Sequence, residues 1–221
     1  MRFILLIFIL CCTALLHGQE VLSTLVSNPI IKSKQFVPNK NKSALTLPFF
    51  DDFSYNSHIA DANLWQQSSV FINWTYPINP ITVGVATFDG LNKDGLAYAI
   101  NMANPQGDAD TLLSQEIDLS AVDSAYFMFY FQPQGLGDAP QVEDSLILEF
   151  KGSNGDWNAA WKMPGSSLYE FKKQIILISS PDYLTNSFQF RFRNKATLSG
   201  NFDHWHIDYV KLDEFLNPID T

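Results

Sequence analysis

A repeated two-residue alternation constrains this chain more than any other feature. Between residues 187 and 195, Phe188, Phe190 and Phe192 alternate with Gln189, Arg191 and Arg193. Successive side chains of an extended strand point to opposite faces, so the three rings share one buried face and the polar side chains share the other. Residues 145–150 repeat the pattern, with Leu146, Leu148 and Phe150 opposite Ile147 and Glu149. Residues 203–212 place Trp205, Ile207 and Tyr209 on one face and His204, His206, Asp208 and Val210 on the other. Residues 124–132 are apolar on both faces and read as a central strand covered twice. Further strands are expected at 49–55, 69–74, 83–88, 110–119 and 169–178. Turn residues separate them, among them Asp89-Gly90, Asp94-Gly95, Ser153-Asn154-Gly155-Asp156 and Ser199-Gly200-Asn201. Many short strands with little helical periodicity predict an all-β fold, a sandwich or a barrel. One helical turn is expected, within 57–66.

The N-terminus carries one charge, Arg2, then an apolar run from Phe3 to Leu16, then His17-Gly18-Gln19-Glu20. That order is a secretory signal, and the run falls short of the roughly 20 residues that a spanning helix needs. Residues 1–19 are therefore expected to be a signal peptide. The mature chain is expected to be exported (secreted, at the cell surface or periplasmic) with no transmembrane span. Both cysteines, Cys11 and Cys12, lie in that segment, which leaves the rest without disulfide or thiol chemistry. Leu10 precedes Cys11, so a lipid attachment box is not formed. A chain of this length buries a core without disulfides. Residues 20–45 read as a polar leader, with apolar stretches at 21–25 and 29–31 that pack as an edge, and 46–221 as one domain. The chain has 14 Lys+Arg against 23 Asp+Glu, a net charge of −9. Such a surface repels phosphate backbones and weighs against nucleic acid as a partner.

A set of aromatic landmarks runs through the domain in order. Pro48-Phe49-Phe50-Asp51-Asp52-Phe53 opens it, Trp65 follows, then Val85-Ala86-Thr87-Phe88-Asp89-Gly90 and Ile117-Asp118-Leu119-Ser120. Phe202-Asp203-His204-Trp205-His206-Ile207-Asp208-Tyr209-Val210 closes it. This order resembles the jelly-roll modules of the MAM, cleaved-adhesin and choice-of-anchor J kind, in versions found in surface proteins of Bacteroidota. The resemblance spans about residues 47–213. It implies a jelly-roll sandwich of two antiparallel sheets and an adhesin-like, non-catalytic binding or assembly module, whose partner is a protein or a glycan at the cell surface. The other readings are a secreted glycan- or peptide-active enzyme and a structural subunit of an outer-membrane secretion or motility assembly. Some relatives carry a structural calcium near the first and last strands, which implies Asp52 and Asp208 as ligands here. Tyr209 stands where the family often has a second Asp, and no other cofactor is implied.

Alternation also puts His204, His206 and Asp208 on one face, with neighbours about 6.8 Å apart. Two imidazoles at that spacing are a candidate transition-metal pair, set against a plain polar outer face. Asn92-x-Asp94-Gly95 has the look of a calcium loop, but Gly90 and Asn101 fail its first and twelfth places. Catalysis finds little support. No G-x-S-x-G occurs, and beyond residue 19 only His58, His204 and His206 supply imidazoles. Trp65, Trp74, Trp157 and Trp161 are candidates for a sugar-stacking face, against the commoner role of tryptophan as core.

Overall fold

The computed structural model describes residues 27–33, 35–39, 43–102 and 105–216. The expected signal at 1–19 and the apolar stretch at 21–25 lie outside these residues. Among the described residues there are eleven strands: β1 (Phe49–Asp51), β2 (Trp65–Ser68), β3 (Phe71–Asn73), β4 (Val85–Phe88), β5 (Gln106–Ser114), β6 (Ala125–Pro133), β7 (Ser145–Lys151), β8 (Trp157–Pro164), β9 (Lys172–Ile178), β10 (Phe190–Thr197) and β11 (Trp205–Asp213). They form two antiparallel sheets, β3-β4-β11-β6-β9 with β1 beside β11, and β2-β5-β10-β7-β8. This is the jelly-roll sandwich expected from the alternation and the landmarks.

The core lies between the sheets and is built from the alternating rings. Phe127 of β6 meets Phe190 of β10 at 4.5 Å, and Phe129 meets Phe192 at 4.9 Å, both edge to face. Leu146, Leu148 and Phe150 complete the layer from β7. Each fully buried ring of this kind contributes about 1.5–3 kcal/mol of transfer free energy.

Strand β11 departs from simple alternation. Its register shifts between Asp208 and Lys211, and Tyr209 takes a φ of 52°. The extra residue of a bulge reverses which side chains face inward. Val210 and Leu212 therefore join the core, while Tyr209 turns outward to Phe50, 4.9 Å away, and Tyr130. The reason lies in the partners. One flank of β11 pairs with β4 over Trp205–Ile207 and then with β1 over Val210–Leu212, and the bulge falls where one partner gives way to the other.

Three elements differ from expectation. The segment 57–66 forms no helix; it turns and then enters β2. β8 is an edge strand with exposed and half-buried positions mixed, so no alternation announces it. The one α-helix among the described residues is α1 (Pro29–Ser33), inside the expected leader. This leader packs on the domain: Ile31 is buried, the Asn28 N–H donates to the Gly95 carbonyl, and Leu45 bridges to Ile117. Among the described residues no helix is long and apolar enough to cross a membrane.

Candidate functional site

His204, His206 and Asp208 do share one face of β11, but that face is covered. The segments 73–82 and 134–138 close over it, so all three residues are buried rather than solvated. This corrects the polar outer face expected there. His206 Nε2 donates to the Gln134 carbonyl (3.2 Å), and its Nδ1 accepts from the Thr87 hydroxyl (2.9 Å). His204 Nδ1 accepts the Asp138 N–H (3.0 Å), which puts its proton on Nε2, where no protein acceptor is in reach. Burial favours the neutral rings and pulls His204 down to about 4 and His206 to about 3. The cover must approach closely: a Cβ on Gly137 would lie 2.4 Å from the His204 ring, and one on Gly135 would lie 2.4 Å from His206 Nε2.

Asp208 spends both carboxylate oxygens on Thr82, whose N–H donates to Oδ2 (2.9 Å) and whose hydroxyl lies 2.6 Å from Oδ1. The same hydroxyl lies 2.7 Å from the Asp52 carbonyl, while the Asp52 side chain accepts from the Ser54 N–H. The two aspartates thus meet through Thr82. Among the described residues no group of three or more His, Cys, Asp or Glu is placed to hold a metal ion. Apart from His204 Nε2, the side-chain nitrogens and oxygens of His204, His206 and Asp208 are spent on hydrogen bonds, and the set fits a sealed polar layer better than a ligand sphere.

Carboxyl pairs are buried at one end of the sandwich. Asp110 accepts from the Gly90 N–H and the Tyr98 hydroxyl, both at 2.9 Å, and burial beside Asp89 raises it well above its ordinary value. Burial pushes Asp89 up to about 7. Burial and Asp203 push Asp144 up to about 7 as well.

The tryptophans divide sharply. Trp65 and Trp205 are core, and the Trp65 indole donates to Asp51 Oδ2 (2.7 Å), a carboxyl that burial pushes up to about 6. Trp161 packs on Phe129 and Phe131. Trp157 lies under the Arg191 guanidinium, 4.3 Å from its ring centre. Trp74 alone of the five is largely open, at 53%.

Trp74 lines a cavity of about 300 Å³. Its position follows from local chemistry. Asn73 donates through Nδ2 to the Phe71 carbonyl and the Thr87 hydroxyl, and its Oδ1 accepts the N–H groups of Thr75 and Tyr76. The amide thereby folds the chain into a turn just after β3, the role that asparagine fills best. The turn swings Trp74 onto His58 (5.9 Å), which lies on Phe71 (5.2 Å), both at 26° between planes. His58 is fixed by donating Nδ1–H to the Ile72 carbonyl (2.9 Å). Asn28, the start of α1, Tyr76 and Asn201 also line the cavity. Asn201 holds its place by donating to the Asp89 carbonyl (3.0 Å). Among the described residues no Lys, Arg, Asp or Glu lines this cavity. Sequence reasoning reaches Trp74 only as one tryptophan among four. It misses Tyr76, Asn28 and Asn201, and the sole hint was Asn73-Trp74-Thr75-Tyr76, an aromatic pair at a turn-forming residue. A larger cavity, about 790 Å³, lies between β2 and residues 36–43, a stretch in which 40–42 fall outside the described residues.

No family model and no curated protein matches this chain. Solved structures with a similar arrangement include the K1 cleaved adhesin domain of Lys-gingipain from Porphyromonas gingivalis W83, at 10% identity and a TM-score of 0.45, covering 76% of this chain and 99% of that one. The K3 cleaved adhesin domain of the same protein is similar at 13% identity and a TM-score of 0.40, covering 64% of this chain and 85% of that one. A third is the CBM27-1 of Caldicellulosiruptor saccharolyticus in complex with mannohexaose, at 11% identity and a TM-score of 0.39, covering 76% and 92%. Cleaved adhesin domains, the relatives expected from the aromatic landmarks, thus stand among the structural neighbours. At these identities the likeness is one of sheet arrangement, and no ligand or site residue carries over.

Proposed function

We propose that this chain is an exported, non-catalytic binding module of the bacterial cell surface, and that the cavity beside Trp74 is where its ligand docks. The observation that carries the reading is the open indole on a preformed cavity. A tryptophan gains most from burial, and an exposed one held flat by a stack and a turn is a surface prepared for contact. The walls come from five separated parts of the chain, and hydrogen bonds fix Asn28, His58, Asn73 and Asn201 among them. The order of charged, apolar and polar residues at 1–19 supports export, and N-terminal sequencing of the secreted protein, beginning near Gln19 or Glu20, would test it. The docking site is tested by screening the purified domain against glycan and surface-protein arrays. Binding that survives Trp74→Ala unchanged would remove the site.

A second reading, a structural subunit of a surface assembly, is favoured by one observation. Phe50, Val83 and Leu177 are exposed apolar side chains on or beside the outer face of the sheet that contains β11. Co-purification with an outer-membrane complex, lost on Leu177→Lys, would decide for it.

A further inference from the structure

We propose that the Trp74 cavity takes one neutral pyranose ring, the end unit of a glycan, lying flat on the indole. This deepens the docking reading above and rests on it.

Three observations select the ligand class. The first is charge. Among the described residues no Lys, Arg, Asp or Glu lines the cavity, while the chain as a whole carries −9. An anionic ligand would meet no counter-charge there and would be repelled by the surrounding field. A charged ligand of either sign would have to shed water without an ionic partner, which is costly.

The second is the arrangement of the rings. Trp74, His58 and Phe71 form one stack with 26° between successive planes. Tyr76 is spent on a separate stack, 5.0 Å from the His204 ring and also at 26°. A cage for a quaternary ammonium needs ring faces converging from several sides. One stack presents one flat face instead. The π face is electron-rich, and the C–H bonds on one side of a pyranose are its natural complement, because their hydrogens carry slight positive charge.

The third is size and rim chemistry. At about 300 Å³ the cavity sits at the lower bound of about 300 Å³ for small-molecule sites, which suits one ring and not a chain laid along a groove. Ser27, Asn28, Thr75 and Asn201 also line the cavity, within a lining that is otherwise mostly apolar. Amides and hydroxyls both donate and accept, as a sugar hydroxyl does, and the amides of Asn28 and Asn201 are each held in place by one bond within the chain.

The test is titration of the whole mature protein, followed by tryptophan fluorescence and by ligand-observed NMR. The probes are the methyl glycosides of glucose, galactose, mannose and N-acetylglucosamine, with glucuronate and choline alongside. At least one neutral glycoside should bind at millimolar concentration. Trp74→Ala should weaken it about tenfold or more, and Asn201→Ala should weaken it less. Both variants should keep the wild-type thermal midpoint. If choline or glucuronate binds in preference, and that binding needs Trp74, the sugar assignment is overturned while the docking site stands. If a glycoside binds equally well to Trp74→Ala, the site itself is overturned. If no neutral glycoside binds and a protein ligand is lost on Trp74→Ala, the ligand class again fails and the site stands.

Discussion

Trp157 and Trp74 are chemically the same side chain on opposite sides of one sandwich. Trp157, on β8, is capped by Arg191, and that guanidinium is itself held 2.6 Å from Glu149 Oε2. Arg193 grips both oxygens of the same Glu149 and reaches Asp108. Trp157 and the two guanidinium groups beside it thus already have partners within the chain. Trp74 rests on the rings of His58 and Phe71 and on an Asn-built turn, and is 53% exposed. A satisfied charged network makes a wall, and an uncapped aromatic held by a ring stack and a turn makes a docking surface. The difference can be broken or sharpened experimentally, because the two sides should respond differently to acid, to truncation and to ions.

Acid should produce the largest effect. On the histidine side, His204 and His206 are neutral when folded and depressed to about 4 and about 3, against an ordinary 6.5. A base whose folded pKa is depressed loses stability as pH falls below its unfolded value, and the loss stops only at the folded value. Each buried histidine should therefore cost about 1.4 kcal/mol per pH unit below 6.5. On the ion-paired side, hydrogen bonds from Arg193 and Arg191 outweigh burial and hold Glu149 below its ordinary 4.5. Its contribution is complete above 4.5 and is lost only as pH falls further. Asp89 and Asp144, raised to about 7 from 3.8, act with the opposite sign, giving stability that is full at low pH and is lost as pH rises through 7. A difference measurement removes them. The urea midpoint of wild type relative to that of His206→Asn should decrease as pH falls from 7 to 4.5, and a difference that stays constant would mean that the histidine layer is not held neutral.

Truncation comes next. Glu149 is nearly buried, and removing it strands two guanidinium groups, so Glu149→Ala should cost about 2–3 kcal/mol. Arg191→Ala should cost less and should expose Trp157. If a glycoside then binds at Trp157 as well, the cap is what distinguishes the two tryptophans. Trp74→Ala should show the reverse signature: under about 0.5 kcal/mol of stability, with loss of ligand binding. Thermal melts alongside titrations separate the two outcomes.

Much of this division was legible in the sequence. The period-two runs of Phe188, Phe190 and Phe192, and of Leu146, Leu148 and Phe150, give strands and core faces because a strand has only two sides. The face of β11 that holds both histidines was equally plain, but its burial was not. Covering it takes segments more than sixty residues away in the chain, and alternation says nothing about what lies above a face. The same limit hid the bulge, since Tyr209 turns outward only because β4 gives way to β1 beside it. The Trp74 cavity was harder still. Its walls come from Asn28, Trp74 and Asn201, brought together by a leader helix, a turn and the loop between β10 and β11, and no local spacing records that meeting.

Calcium should give the smallest effect, and the reason lies in how Asp208 is already satisfied. The family resemblance implies an ion between Asp52 and Asp208. Calcium takes about six to eight oxygens at about 2.3–2.6 Å. In this chain Thr82 supplies an N–H and a hydroxyl to Asp208, and Asp52 contributes its carbonyl to the same hydroxyl while its carboxylate holds Ser54. Burial raises Asp208 above its ordinary value despite these bonds, so the site favours a proton over added charge. An ion would have to displace Thr82, and a Cβ at Gly84 would come within 1.8 Å of the Phe53 carbonyl, so the backbone around it is already close-packed. A cation that bound only the folded state would raise stability by about 2.7 kcal/mol at a hundredfold excess over its Kd. We expect instead that the thermal midpoint in millimolar calcium will match the midpoint in chelator, and that Asp208→Asn, which keeps an acceptor for Thr82, will melt near wild type in both. A midpoint that rises with calcium in wild type but not in Asp208→Asn would show that the ion displaces Thr82. It would also show that this side of the sandwich, like the Arg191 side, is closed by charge.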